Sequence, residues 1–126
     1  MHGYCSGAPG IGIMCERIRR NGLDSSEMQK CAELAKKSVD GIPLNARDHL
    51  CSGNAAAVEY YLTVGQYDEA GKVLGAMKER KDRAGEYRYM GWNFRNSVTA
   101  SLFYGAGGIG YEMLRYAAPG KIISVL

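Results

Sequence analysis

What this 126-residue sequence has little of narrows its class first. It holds only four cysteines, Cys5, Cys15, Cys31 and Cys51, and three prolines. The cysteines are widely spaced, match no secreted disulfide framework and follow no leader of charged-then-apolar type, so a reduced, cytoplasmic protein is expected. No apolar run approaches the roughly 20 residues that span a bilayer, and no membrane helix is expected. An excess of one charge is missing too: 16 lysines and arginines stand against 13 aspartates and glutamates, and the densest run, Lys78 to Arg83, mixes both signs. A nucleic-acid surface gathers one sign on a face, so that class is set aside and a solvated helix end is read instead. Strict alternation of polar and apolar residues, the mark of a strand, occurs nowhere along the chain. What remains is an all-α protein, large enough for one domain spanning residues 1–126.

Glycine, in contrast, is plentiful: there are 17. Each costs about 1 kcal/mol against alanine inside a helix, so their number points to close backbone approach. Three of them set a register. With Gly7, Gly53 and Gly105 aligned, Cys5-Ser6-Gly7-Ala8, Cys51-Ser52-Gly53-Asn54 and Phe103-Tyr104-Gly105-Ala106 fall together, at spacings of 46 and 52 residues. A self-similarity of that length marks a repeat built from supersecondary units. Four, eight and eleven residues past each glycine stand Ile11, Cys15 and Ile18, then Ala57, Tyr61 and Val64, then Ile109, Met113 and Tyr116. That spacing predicts three helices, each with one buried side. Equivalent positions of neighbouring repeats lie side by side, so Cys5 and Cys51, both two residues before the glycine, are expected to meet at one rim as half of a metal site. Phe103 at the third position brings no ligand.

In chain order, Pro9 suits the first turn of a helix running to about Arg20 and closed by Asn21-Gly22. Asp24-Ser25-Ser26-Glu27 reads as a capping box for a second helix to about Ser38, with Met28, Cys31, Ala32, Ala35 and Val39 on its buried face. A helix from about Gly53 to Val64 follows the loop that ends in the second cysteine. Asp68 and Glu69 open the next, which buries Ala70, Val73, Leu74 and Met77 and stops at Gly85. Glu86 to Ser101, with Tyr87, Tyr89, Met90, Trp92 and Phe94, reads as a packed loop. A last helix spans about Gly107 to Ala118, and Lys121 to Leu126 is an apolar tail expected to dock on the body. Cys15 and Cys31 read as core residues, Ser52 as a cap for its helix, and His49 as a loop histidine or a metal ligand. Tyrosines 60, 61, 87, 89, 104, 111 and 116 read as core or barrel lining.

The motifs Tyr4-Cys5-Ser6-Gly7-Ala8-Pro9-Gly10-Ile11-Gly12, Asp48-His49-Leu50-Cys51-Ser52-Gly53-Asn54 and Thr99 through Tyr116 resemble the C-terminal part of a lanthionine synthetase C-like cyclase domain, of the class II lanthipeptide synthetase type. The resemblance implies a partial α/α toroid of helix pairs with zinc at its mouth. It implies that Cys5 and Cys51 are zinc ligands, and that the zinc holds a precursor-peptide cysteine as thiolate for addition to dehydroalanine or dehydrobutyrine, forming lanthionine or methyllanthionine. Ser52 stands where the family has a third ligand, cysteine or histidine; a neutral hydroxyl is a poor substitute, and His49 is the nearest candidate replacement, with His2 also close in sequence. The family's catalytic histidine and acid lie ahead of the first zinc cysteine, so no catalytic residue is expected in this chain and the isolated chain is expected to be inactive.

Open apolar edges of a partial toroid point to a homodimer or to a complementing upstream chain as partner, beside the precursor peptide. The competing function is a non-catalytic α-solenoid that binds peptide or protein, since Ala57 to Ala70 reads like a tetratricopeptide repeat. That family recurs every 34 or so residues, whereas the glycines here recur at 46 and 52.

Overall fold

The computed structural model describes residues 2–44, 47–89 and 100–124. Those residues form five helices and no strand: α1 (Ala8–Arg20), α2 (Ser26–Asp40), α3 (Asn54–Thr63), α4 (Tyr67–Ala84) and α5 (Ala106–Ala117). The all-α reading therefore holds for them. A short turn folds α2 back on α1, and another folds α4 back on α3. Helices α1 and α5 flank α3, so the three glycine-led helices make a row, backed by α2 and α4.

Each helix of the row begins alike. Gly7, Gly53 and Gly105 are the three N-cap residues, all in extended conformation, and none of the three ends has a side-chain cap. The turns are instead closed by tight backbone approach. A side chain at Gly10 would strike the carbonyl of Tyr4, and one at Gly108 would strike the carbonyl of Leu102, the same two register positions in the first and third units. The second unit carries Ala56 there, fully buried. Ser25, one residue later than the capping-box pattern suggests, caps α2 by accepting from the amide of Met28 at 3.2 Å.

Position in the row decides burial. Every residue of α3 is buried, which is why it has almost no polar face. On the edge helices the expected burial holds at Cys15 and Ile109, is partial at Ile18 and Met113, and fails at Ile11, 45% exposed, and Tyr116, 39% exposed. The outer helices behave as the spacing predicts. Ala70, Val73, Leu74 and Met77 of α4 are buried, as are Ala35 and Val39 of α2. Met28, Cys31 and Ala32 are half-buried. Among the tyrosines, Tyr60 and Tyr61 lie in the core, while Tyr104 is 45% exposed. Glu86 to Tyr89 carry no helix, and Met90, Trp92 and Phe94 lie outside the described residues.

A polar cluster runs between α3 and α5 that the apolar pattern does not foresee. Glu59 of α3 is fully buried and pairs with Arg115 of α5. It also accepts from Thr63 Oγ1 at 3.3 Å and from Ser124 Oγ at 2.5 Å. Arg17 of α1 donates to the same Ser124 at 3.0 Å. The described part of the tail expected to dock on the body is thus held there by polar contacts, with Ile123 80% exposed and its carbonyl accepting from Tyr111, while Val125 and Leu126 lie outside the described residues. Glu112 is the member left over: it is fully buried, neither carboxyl oxygen has a hydrogen-bond partner, and Arg115, committed to Glu59, stands 3.6 Å away. Burial without partners pushes its pKa up to about 8.

The folded state therefore keeps a proton on Glu112 that the unfolded chain releases above the ordinary carboxylate range. Its contribution to stability is complete below that range and falls as pH rises toward about 8. Replacing Glu112 with glutamine should flatten the stability profile over that window and leave the variant about 1–3 kcal/mol more stable than the parent at its alkaline end. Urea unfolding measured across the pH range checks this; parallel profiles for the two proteins would contradict it.

Candidate thiol site

The row of helices carries a second regularity, in the residues two places before each glycine. The amide of Cys5 donates to the carbonyl of Cys51 at 3.3 Å, and the amide of Cys51 donates to the carbonyl of Phe103 at 2.9 Å. Equivalent residues of the three units are thereby chained backbone to backbone along one rim. The first of these links brings the two thiols together, with Cys5 Sγ and Cys51 Sγ 3.1 Å apart. Cys5 is exposed and Cys51 is 8% exposed, so the pair sits at the surface.

The surroundings are fixed by close contacts. A side chain at Gly3 would run into the Cys51 carbonyl and lie 2.8 Å from the Cα and Cβ of Ser52, so only glycine lets the lead-in pass there. Tyr104, from the third unit, comes within hydrogen-bonding range of Cys51, and the sulfur beside it holds the phenol above its usual pKa range. Cys5 is raised as well, first by its hydrogen bond with Cys51, then by burial and by the like charge a second thiolate would place beside it. Such coupling belongs to the pair rather than to either residue.

The other expected site residues lie apart from the sulfurs or play other parts. Ser52 is exposed and does not cap α3, because Gly53 itself occupies the N-cap position and leaves Ser52 one residue too early. Its amide donates to Nδ1 of His49 at 3.3 Å. His49 is fully buried, packs its ring 6.0 Å from that of Tyr104, and leaves Nε2 without a well-formed hydrogen bond. Burial, with Arg47 nearby, lowers its pKa and favours the neutral ring; the Phe103 carbonyl pulls more weakly the other way. His2 is exposed. Among the described residues no group of three or more histidine, cysteine, aspartate or glutamate side chains is gathered to hold an ion.

Zinc can be tested against this donor set. Two thiolates on a tetrahedral zinc, each at about 2.3 Å, stand roughly 3.8 Å apart. The observed 3.1 Å reaches that with a small side-chain rotation. In kind and placement Cys5 and Cys51 fit two of the ligands, and among the described residues no third donor is gathered beside them.

Two features of the site region escaped the sequence reading. Asp48, 1% exposed, ties the turn before Cys51 to the outer layer: it pairs with Arg80 of α4, accepts from the amide of Arg88 at 2.9 Å and from Asn54 Nδ2 at 3.1 Å. Cys15 of α1 and Cys31 of α2 form a second thiol pair, within hydrogen-bonding range of one another, and Cys15, buried in the helix hairpin, has its pKa pushed up to about 11. The clue lay in the two predicted buried stripes, which face each other once α2 folds back.

A family model described as lanthionine synthetase C-like protein matches residues 3–126. Neither the curated proteins nor the solved structures gave a match.

Since Cys51 is the principal cause of the raised Cys5 pKa, Cys51→Ala should move the pH profile of Cys5 alkylation by iodoacetamide toward lower pH. Peptide mapping after timed alkylation reads the rate at Cys5; an unmoved profile would mean that the two sulfurs do not interact in solution.

Proposed function

Because the chain belongs to the lanthionine synthetase C-like family, we propose that it carries the thiol-binding end of a lanthipeptide cyclase. In this reading Cys5 and Cys51 would hold a zinc ion at the rim where the glycine-led helices begin. Bound there, zinc supplies a Lewis acid that keeps a substrate thiol, ordinarily near pKa 8.5, deprotonated at neutral pH. The substrate is a precursor peptide whose cysteine adds to dehydroalanine or dehydrobutyrine, joining sulfur to the β-carbon while the α-carbon takes up a proton, and giving lanthionine or methyllanthionine.

The observation that carries the proposal is the meeting of two thiols from different helix pairs, 46 residues apart in sequence, at 3.1 Å. The chain's own residues do three things for such a reaction. The link from the Cys5 amide to the Cys51 carbonyl fixes the separation of the two α-carbons, so little ordering is left to be done when a ligand arrives. Cys5 and Ser52 are exposed, which leaves the pair open to a peptide. Buried His49, with Nδ1 occupied by the Ser52 amide, shapes the second motif's turn from behind. With Ser52 in place of a thiol or imidazole, zinc is held by two protein ligands and correspondingly weakly.

Zinc titration against a chromophoric chelator tests this. The parent chain should take up one zinc, Cys5→Ser and Cys51→Ser should each abolish uptake, and Ser52→His should tighten it on the order of tenfold or more. Failure of both the parent and Ser52→His to bind zinc would overturn the proposal. Absence of zinc is also what the non-catalytic solenoid reading predicts.

A further inference from the structure

The same two sulfurs support a chemistry that needs no metal. Their Sγ atoms lie 3.1 Å apart, and a disulfide bond is about 2.0 Å, so roughly an ångström of closure separates the dithiol from the bonded form. The backbone already allows it. A direct amide-to-carbonyl link between Cys5 and Cys51 sets their α-carbons at neighbouring-strand distance, inside the roughly 4.4–6.8 Å that disulfides span. Among the described residues no further histidine, cysteine, aspartate or glutamate joins the pair to form a metal cluster, and its near neighbour Tyr104 offers only a hydrogen bond to Cys51. The two thiols also differ in access: Cys5 is exposed, while Cys51 lies behind it, 8% exposed.

We propose that Cys5 and Cys51 form a site of reversible oxidation by small-molecule disulfides, with Cys5 the residue attacked on and Cys51 the residue that resolves. The Cys5 thiolate attacks one sulfur of the reagent, forming a mixed disulfide and releasing one reagent thiol. The Cys51 sulfur then attacks Cys5 Sγ, closing the Cys5–Cys51 bond and releasing the second reagent thiol. Two electrons pass from the protein pair to the reagent, whose two halves leave carrying the two protons lost by the cysteines. A small dithiol reverses both steps. The bonded form withdraws both sulfurs from any metal, so, if the zinc reading above is right, oxidation and zinc binding exclude each other.

The second pair provides an internal contrast. Cys15 and Cys31 are also near neighbours, but Cys15 is 1% exposed inside the α1–α2 hairpin and Cys31 is half-buried, so neither offers a reagent the open sulfur that Cys5 does.

The test treats the metal-stripped full chain with hydroxyethyl disulfide and follows intact mass, titratable thiols and non-reducing peptide maps. Two of the four thiols should be lost, the mass should fall by two hydrogens, and the peptides carrying Cys5 and Cys51 should be linked. Cys51→Ser should instead accumulate the mixed disulfide on Cys5, and Cys5→Ser should react slowly or not at all at Cys51. Retention of all four thiols, a lasting mixed disulfide on the parent chain, or a link between Cys15 and Cys31 in place of the expected one would overturn the proposal. Parallel samples loaded with zinc separate the two readings. Slower oxidation under zinc supports metal binding by these sulfurs, whereas unchanged oxidation removes the zinc reading and leaves the disulfide site standing.

Discussion

The backbone chain that runs from Cys5 to Cys51 to Phe103 is the constraint on which the rest of the rim depends. A hydrogen bond between main-chain groups is indifferent to side-chain identity, so it fixes the spacing of three turns whatever those turns carry. It works only because the residues two places before each glycine N-cap are presented alike, and they are alike because all three N-caps adopt the same extended conformation. The side chains then inherit their separation. Two cysteines in successive units become a sulfur pair, and a phenylalanine in the third ends the series.

Behind the rim, the molecule solves two packing problems differently. The outer helices α2 and α4 are amphipathic and bury an apolar stripe against their partners, the usual solution. Helix α3 has a neighbour on every side and no polar face to spare, yet it carries Glu59. That carboxylate is tolerated because Arg115, Thr63 and Ser124 supply it with charge and hydrogen bonds. Glu112 shows the opposite outcome in the same cluster: one guanidinium serves two carboxylates, and the one without hydrogen bonds turns toward its neutral form.

How far the sequence discloses this depends on whether a feature follows from period or from place. The glycine register, the helix order, the buried stripe of α4 and the approach of residues 5 and 51 all follow from period, and are legible from spacing alone. Burial at Ile11 and Tyr116 is not, because period sets the register but not which copy is covered: Ala57 and Ile109 are buried where Ile11 is exposed. Ser52 has the side chain of a good N-cap residue but not the place, because Gly53, one position later, takes that role without a side chain. The pair Cys15 and Cys31 needed the hairpin to be closed before its two stripes could be seen to face one another. Polar interior residues such as Asp48 and Glu59 carry no periodic signal at all; only their partners, drawn from distant segments, explain them.

Asp48 gives the outer layer a stake in the rim. Its carboxylate grips Arg80 from the far layer and the amide of Arg88, while its own carbonyl takes the amide of Ala55 at the start of α3. The turn bearing Cys51 is thus clamped from outside as well as from the neighbouring turns. A helix that looks like mere scaffolding from the exterior is, through one arginine, part of the mounting that holds a sulfur in line, so a change at that arginine reaches the rim through the turn it clamps.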